Sequence, residues 1–98
     1  MVAVFVRTET NEFIQVQQQI EKCLPFVGKS EHKMYMEFST SGTDAERLGL
    51  SQLVEDIQSG MITKVICASS DRISNNMAEL NQFFQLIGGK SVELIFAG

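Results

Sequence analysis

Short apolar runs alternate with amphipathic stretches along the whole chain, and that alternation predicts a βαβ protein. The first run, Val2-Ala3-Val4-Phe5-Val6, is almost continuously apolar, as a parallel strand covered on both faces should be. Asn11 is placed to cap a helix with Phe13, Val16, Ile20, Leu24 and Val27 on one face. Gly28 follows where a left-handed cap is needed, and Pro25 in the last turn is expected to kink the helix or end it early. Met34 to Phe38 reads as a second strand, and Ser39 to Asp44 as a loop of small polar residues. Leu50, Leu53, Val54 and Ile57 recur at helical spacing before Gly60. Lys64 to Ala68 is the third strand. Met77, Leu80, Phe84 and Ile87 mark a third helix, with Asn76 and Glu79 placed as a capping box and Gly88-Gly89 as its stop. Val92 to Phe96 is the fourth strand.

Four strands alternating with three helices predict a single α/β domain over residues 1–98, in three layers. The sheet is expected to be mainly parallel, in the order 2-1-3-4, with helices on both faces. Ligands of such sheets are met at the carboxyl ends of the strands. That rule selects Arg7 to Glu9, Ser39 to Asp44 and Ser69 to Asn75. Ending on a strand of buried character, the chain is expected to be part of a longer protein.

Composition narrows the classes. With 44% hydrophobic and 20% charged residues, the chain has the makeup of a globular domain. No stretch approaches a membrane span and the start lacks a secretory pattern, so a cytoplasmic protein without membrane association is expected. Cys23 and Cys67 sit in apolar surroundings with no metal-ligand spacing, which predicts buried free thiols in a reducing compartment. His32, between Glu31 and Lys33, has no partner for a metal, and neither metal nor cofactor is expected. A net charge of −4 predicts that this domain alone binds DNA weakly, because neutralising phosphates takes Lys and Arg.

Three arginines, Arg7, Arg47 and Arg72, fall in or beside the strand-end loops, and a guanidinium fork suits a phosphate. The segments around them carry a resemblance. Val6-Arg7-Thr8-Glu9-Thr10 resembles the Arg-Val-Ser-Thr signature of serine recombinases, the resolvase/invertase family. Gln17, three residues before Ile20, is similar to the glutamine of that family's first helix, a neighbouring glutamine being the other match. Ser41-Gly42 followed by Glu46-Arg47-Leu48-Gly49-Leu50 looks like its Ser-Gly loop and helix start. Asp56 to Gly60 and Ser70-Asp71-Arg72-Ile73-Ser74 resemble the segment that ends in Asp-Arg-Leu-Ser/Gly-Arg.

The resemblance implies a resolvase-like catalytic domain from a DNA site-specific recombination protein. Its dimerisation helix and DNA-binding domain would lie outside residues 1–98, and the full-length protein would act as a dimer or tetramer on DNA. In the family a serine hydroxyl attacks the DNA phosphodiester, and arginines stabilise the transition state. Carried over, Arg7, Arg47 and Arg72 hold the phosphate, Asp71 positions an arginine or the leaving oxygen, Ser41 and Gly42 form the substrate loop, and Gln17 supports. Two positions depart from the pattern. Glu9 occupies the nucleophile position, and Asn75 the position of a second arginine. A carboxylate at position 9 repels phosphate and can pair with Arg7, two residues before it on the strand. Thr8 and Thr10 point to the other face, and Asn75 also reads as a helix cap. The expectation is a site impaired in the family's phosphoserine chemistry through position 9. A recombinase-like interaction or regulatory module without enzymatic activity is the alternative. A flavodoxin-like phosphate-binding domain follows from the sheet pattern alone.

Overall fold

A computed structural model describes residues 1–8, 13–38, 48–74 and 76–98. The chain runs β1 (Val2–Thr8), α1 (Phe13–Val27), β2 (His32–Phe38), α2 (Leu48–Gln58), β3 (Lys64–Cys67), α3 (Ser70–Ile73), α4 (Met77–Gly89) and β4 (Glu93–Phe96). The strands form one parallel sheet in the order β2-β1-β3-β4, as the alternation predicts.

β1 is buried at every position, because it is flanked by two strands and covered on both faces. Strand alternation divides its side chains between two cores. Ala3 and Phe5 pack with Tyr35, Leu53, Ile57, Cys67, Phe83 and Ile87 on the side of α2 and α4. Val2, Val4 and Val6 pack with Val16, Cys23, Val27 and Ile66 on the side of α1. Full burial of each large apolar side chain contributes about 1.5–3 kcal/mol, so β1 anchors both layers.

The helix faces differ in detail from the periodic reading. In α1 the buried residues are Val16, Gln19, Cys23 and Val27, while Phe13 and Leu24 are exposed. The face is rotated because Gln19 has polar partners on the sheet. Pro25 does not cut α1 short. The helix reaches Val27, whose burial against the sheet holds the last turn, and Gly28 then takes the left-handed conformation at φ +65°. In α4 the core takes Phe83, leaving Phe84 at the surface. Gly88 and Gly89 lie within α4 instead of ending it, and the left-handed residue is Ser91 at φ 56°. Asn76 caps α4 as expected, its side chain accepting from the backbone N–H groups of Ala78 and Glu79. The short α3 is an addition to the periodic reading, pinned by fully buried Ile73.

Two contacts fix α2 against the edge strand β2. Gly49 lies so close that a Cβ there would meet the Met36 carbonyl oxygen at 2.8 Å. Near the other end of α2, buried Asp56 accepts from Tyr35 Oη at 2.5 Å, Lys33 Nζ at 3.0 Å and Gln52 Nε2 at 3.1 Å. The Tyr35 and Lys33 hydrogen bonds hold the Asp56 carboxyl below its ordinary range, while burial and the neighbouring carboxylate push the Tyr35 phenol up. Among the described residues, no helix is long and apolar enough to cross a membrane.

Candidate functional site

β1 and β3 end side by side, since their register runs from Val2↔Lys64 to Phe5↔Cys67. Beyond Cys67 the chain turns into α3, and this turn brings Arg72 back over the end of β1. Its Nη1 donates to the carbonyl of Arg7 at 3.3 Å, joining residues 65 apart in sequence. The Arg72 guanidinium therefore lies against the Arg7 backbone at the end of β1. The Nε of Arg72 is buried with no hydrogen-bond partner among the described residues. A buried guanidinium N–H without an acceptor carries a desolvation penalty that an anion would relieve.

The backbone of Arg7 is held from α1. Its N–H donates to Gln19 Oε1 at 3.2 Å, and its carbonyl accepts from Gln19 Nε2 at 2.8 Å. The amide acts as a side-chain substitute for a neighbouring strand, and Gln19 is buried in doing so. Gln17, the expected supporting residue, is instead exposed and donates to Glu21 at 3.2 Å. A 3.6-residue period starting from Val16 carries position 19 to the sheet and position 17 away from it, so it is a neighbouring glutamine, the other match open in the sequence, that touches Arg7.

On the other side of β1, Glu37 is the register partner of Arg7 and is buried like it. Paired residues of parallel strands share a face, so a carboxylate and a guanidinium lie in one row on the α2 side. Thr8 is fully buried on the opposite face, where its hydroxyl donates to Gln15 Oε1 at 3.1 Å, as strand alternation requires.

Asp71 is exposed and accepts a short hydrogen bond from the hydroxyl of Ser69. Ser69 remains extended at φ −160° and ψ 166°, and its carbonyl accepts from the Arg72 N–H at 3.2 Å and from the Cys67 thiol at 3.6 Å. Burial pushes the Cys67 thiol up to about 12, with Cys23 and Asp71 adding to the shift. Cys23 and Cys67 are both buried free thiols.

Of the residues singled out in the sequence, the structure brings Arg7 and Arg72 together and sets Asp71 in the adjoining turn. Glu9, Ser41, Gly42, Arg47 and Asn75 lie outside the described residues. Gln19 and Glu37 were not singled out for the site, and Ser69 only as the first residue of the loop after β3. Gln19 was legible as a polar residue at the core spacing Val16, Gln19, Cys23. Glu37 was legible as a charge two positions after Tyr35 on a strand, sharing its inward parity.

A family model for the resolvase N-terminal domain matches residues 2–98. The chain is 31% identical over 100 residues to the "Putative DNA recombinase" of Bacillus subtilis (strain 168), covering 98% of this chain and 20% of that protein. It thus spans a fifth of that relative's length. Among solved structures, the first ORF in transposon ISC1904 from Sulfolobus solfataricus P2 superposes with a TM-score of 0.83 at 18% identity, covering 99% of this chain and 66% of the other. The N-terminal catalytic domain of TP901-1 integrase gives a TM-score of 0.82 at 19% identity, covering 98% of this chain and 76% of the other. At these identities the likeness is one of fold.

Proposed function

Because the chain belongs to the resolvase N-terminal domain family, we propose that it is the catalytic part of a DNA site-specific recombination protein. In this reading Arg7 and Arg72 grip a DNA phosphodiester, and the chemistry at position 9 is impaired. The observation that supports the grip is the Arg72 guanidinium held against the Arg7 backbone at the end of β1, with a buried Arg72 Nε that lacks an acceptor among the described residues. Guanidinium groups fixed before the phosphate arrives stabilise the added charge of a pentavalent phosphorus without reorganising. Glu37 and Gln19 hold the frame, one in the row beside Arg7 and the other on its backbone.

At position 9 a carboxylate replaces the hydroxyl that the family's reaction needs. An acyl phosphate formed there would hydrolyse and could not store a DNA end for religation. Affinity for DNA, assembly into dimers or tetramers, and cytoplasmic action are properties of the longer protein in this proposal. The net charge of −4 leaves little non-specific attraction to this domain alone.

The test is a titration of a labelled duplex followed by fluorescence anisotropy across a salt series. Weak binding is expected, with log K falling by about 0.9 per decade of salt for each phosphate neutralised. Arg72→Ala should weaken binding and reduce the slope by about 1. Binding and slope that ignore Arg72→Ala, in a variant with unchanged circular dichroism, would remove the arginine grip from the proposal.

A further inference from the structure

We propose that the trough between α1 and β2 is an interface for a second copy of this chain, with α1 of each copy lying over β2 of the other. The contact involves neither Arg7 nor Arg72, and it needs no helix from outside residues 1–98.

The trough arises from the offset of the layers. On the sheet face away from α2 and α4, α1 packs over β1 and β3. The same face of the edge strand β2 is left open among the described residues. Register with β1 sets Met36 beside Val6 and Phe38 beside Thr8, and both Val6 and Thr8 face α1. Met36 and Phe38 therefore look out on the α1 side without being covered, at 42% and 50% exposure. Phe13, Val16, Gln17 and Ile20 form the other wall, and the space between holds about 310 Å³. None of these six residues is charged.

An occupant of this trough has to be apolar and convex, and the chain carries that shape beside it. Ile14 follows Phe13 on α1, stands outside the lining, and is 61% exposed. A patch with both a recess and a neighbouring ridge can close on itself about a two-fold axis. An axis along the strands does this, laying α1 of each copy in the trough of the other. Because α1 runs back against the direction of β2, its first turn lies at the Phe38 end, which sets Ile14 of one copy against Met36 and Phe38 of the other.

The area suits a reversible pair. With Phe13 at 77% exposure, the four side chains Phe13, Ile14, Met36 and Phe38 leave on the order of 450 Å² open per copy, at roughly 200 Å² for a whole side chain. Two copies hide about 900 Å² of apolar surface before any polar rim is counted, low in the range of specific contacts. Chains of net charge −4 repel one another, and an uncharged patch is where that repulsion is least felt.

The experiment is sedimentation equilibrium of the 98-residue chain over roughly 10 μM to 1 mM, the span in which weak pairs come apart. The average mass should climb from one chain toward two and stop there, more steeply at higher salt, which screens the repulsion. Ile14→Lys and Met36→Lys should each raise the dissociation constant about 10-fold or more, the effect of a charge pressed into an apolar contact. Lysine also lowers the negative charge of each copy, so charge alone would act in the opposite direction. Met77→Lys, at a methionine 69% exposed on α4, is the control and should change nothing. Isotope-filtered NOEs should join the Ile14 methyl groups of one copy to Met36 and Phe38 of the other. A chain that stays single at the highest concentration overturns the pairing. So does association that ignores both lysines while circular dichroism shows them folded, that weakens with salt, or that responds to Met77→Lys. Signals of Ile14 and Met36 that answer a DNA duplex while the mass stays that of one chain would assign the trough to nucleic acid and overturn the pairing as well.

Discussion

Replacing Gln19 with leucine should destabilise the domain, although the residue belongs to the polar run Gln17-Gln18-Gln19. The Gln19 amide satisfies both the N–H and the carbonyl of Arg7, at 3.2 and 2.8 Å, inside the protein. Leucine has a similar size and fills the space, so water has little room to replace the lost partners. The Arg7 N–H is then left without its acceptor, which costs about 1–3 kcal/mol. The carbonyl keeps the Arg72 Nη1 at 3.3 Å and loses only its shorter bond, worth about 1 kcal/mol. The sum is about 2–4 kcal/mol, or on the order of 10–25 °C in Tm for a domain of this size. Urea unfolding followed by circular dichroism measures it, with Gln17→Leu as the matched control at an exposed position, expected within about 0.5 kcal/mol of wild type. Equal losses in the two variants, or a loss below about 0.5 kcal/mol for Gln19→Leu, would refute the claim that Gln19 holds the end of β1.

Gly49→Ala should destabilise by about 1–3 kcal/mol in the same assay, because its Cβ would meet the Met36 carbonyl oxygen at 2.8 Å and Glu37 Cβ at 3.1 Å, and neither can swing aside. Stability should depend on pH through Asp56 and Tyr35. The Asp56 pKa is depressed in the folded state, so its contribution is present above the ordinary value of 3.8 and disappears as pH falls through the lower folded value. The Tyr35 pKa is raised, so its contribution is complete below 10 and is lost as pH rises above it. Unfolding curves collected from acid to alkaline pH should show both losses, and Tyr35→Phe should flatten the alkaline limb; an alkaline limb unchanged in Tyr35→Phe would sink that assignment. The Cys67 thiol, buried and neutral, should resist a disulfide exchange reagent at pH 8 until denaturant is added, and rapid labelling of Cys67 in the native protein would contradict its burial.

The sheet order was legible because parallel strands separated by amphipathic helices leave few arrangements that keep crossovers right-handed and both sheet faces covered. The apolar continuity of Val2 to Val6 marks the central strand by itself. The helix faces were less legible, and α1 shows why. A periodic scan rewards apolar residues, so it selected Phe13 and Leu24 and passed over Gln19, which is buried because its amide completes hydrogen bonds of the sheet. The same bias hid Glu37, a carboxylate at an inward position on β2. The turn α3 escaped because one helical turn has no period to detect. Arg7 and Arg72, 65 residues apart, were legible together because both follow strands whose carboxyl ends meet in a parallel sheet, and the motif resemblance gave them a common role.

The position of β1 also bears on how the chain matures. This strand is synthesised first, yet it must accept β2 on one side and β3 on the other, so it waits for two later segments before its backbone is paired. At about 5–20 residues per second, several seconds separate the synthesis of Arg7 from that of Arg72. During that interval a strand apolar on both faces is open to chaperones, and a nascent chain stopped short of β3 would be sticky. The hydrogen bond from Arg72 to the Arg7 carbonyl is therefore a late feature, formed only after both strand ends and α3 exist.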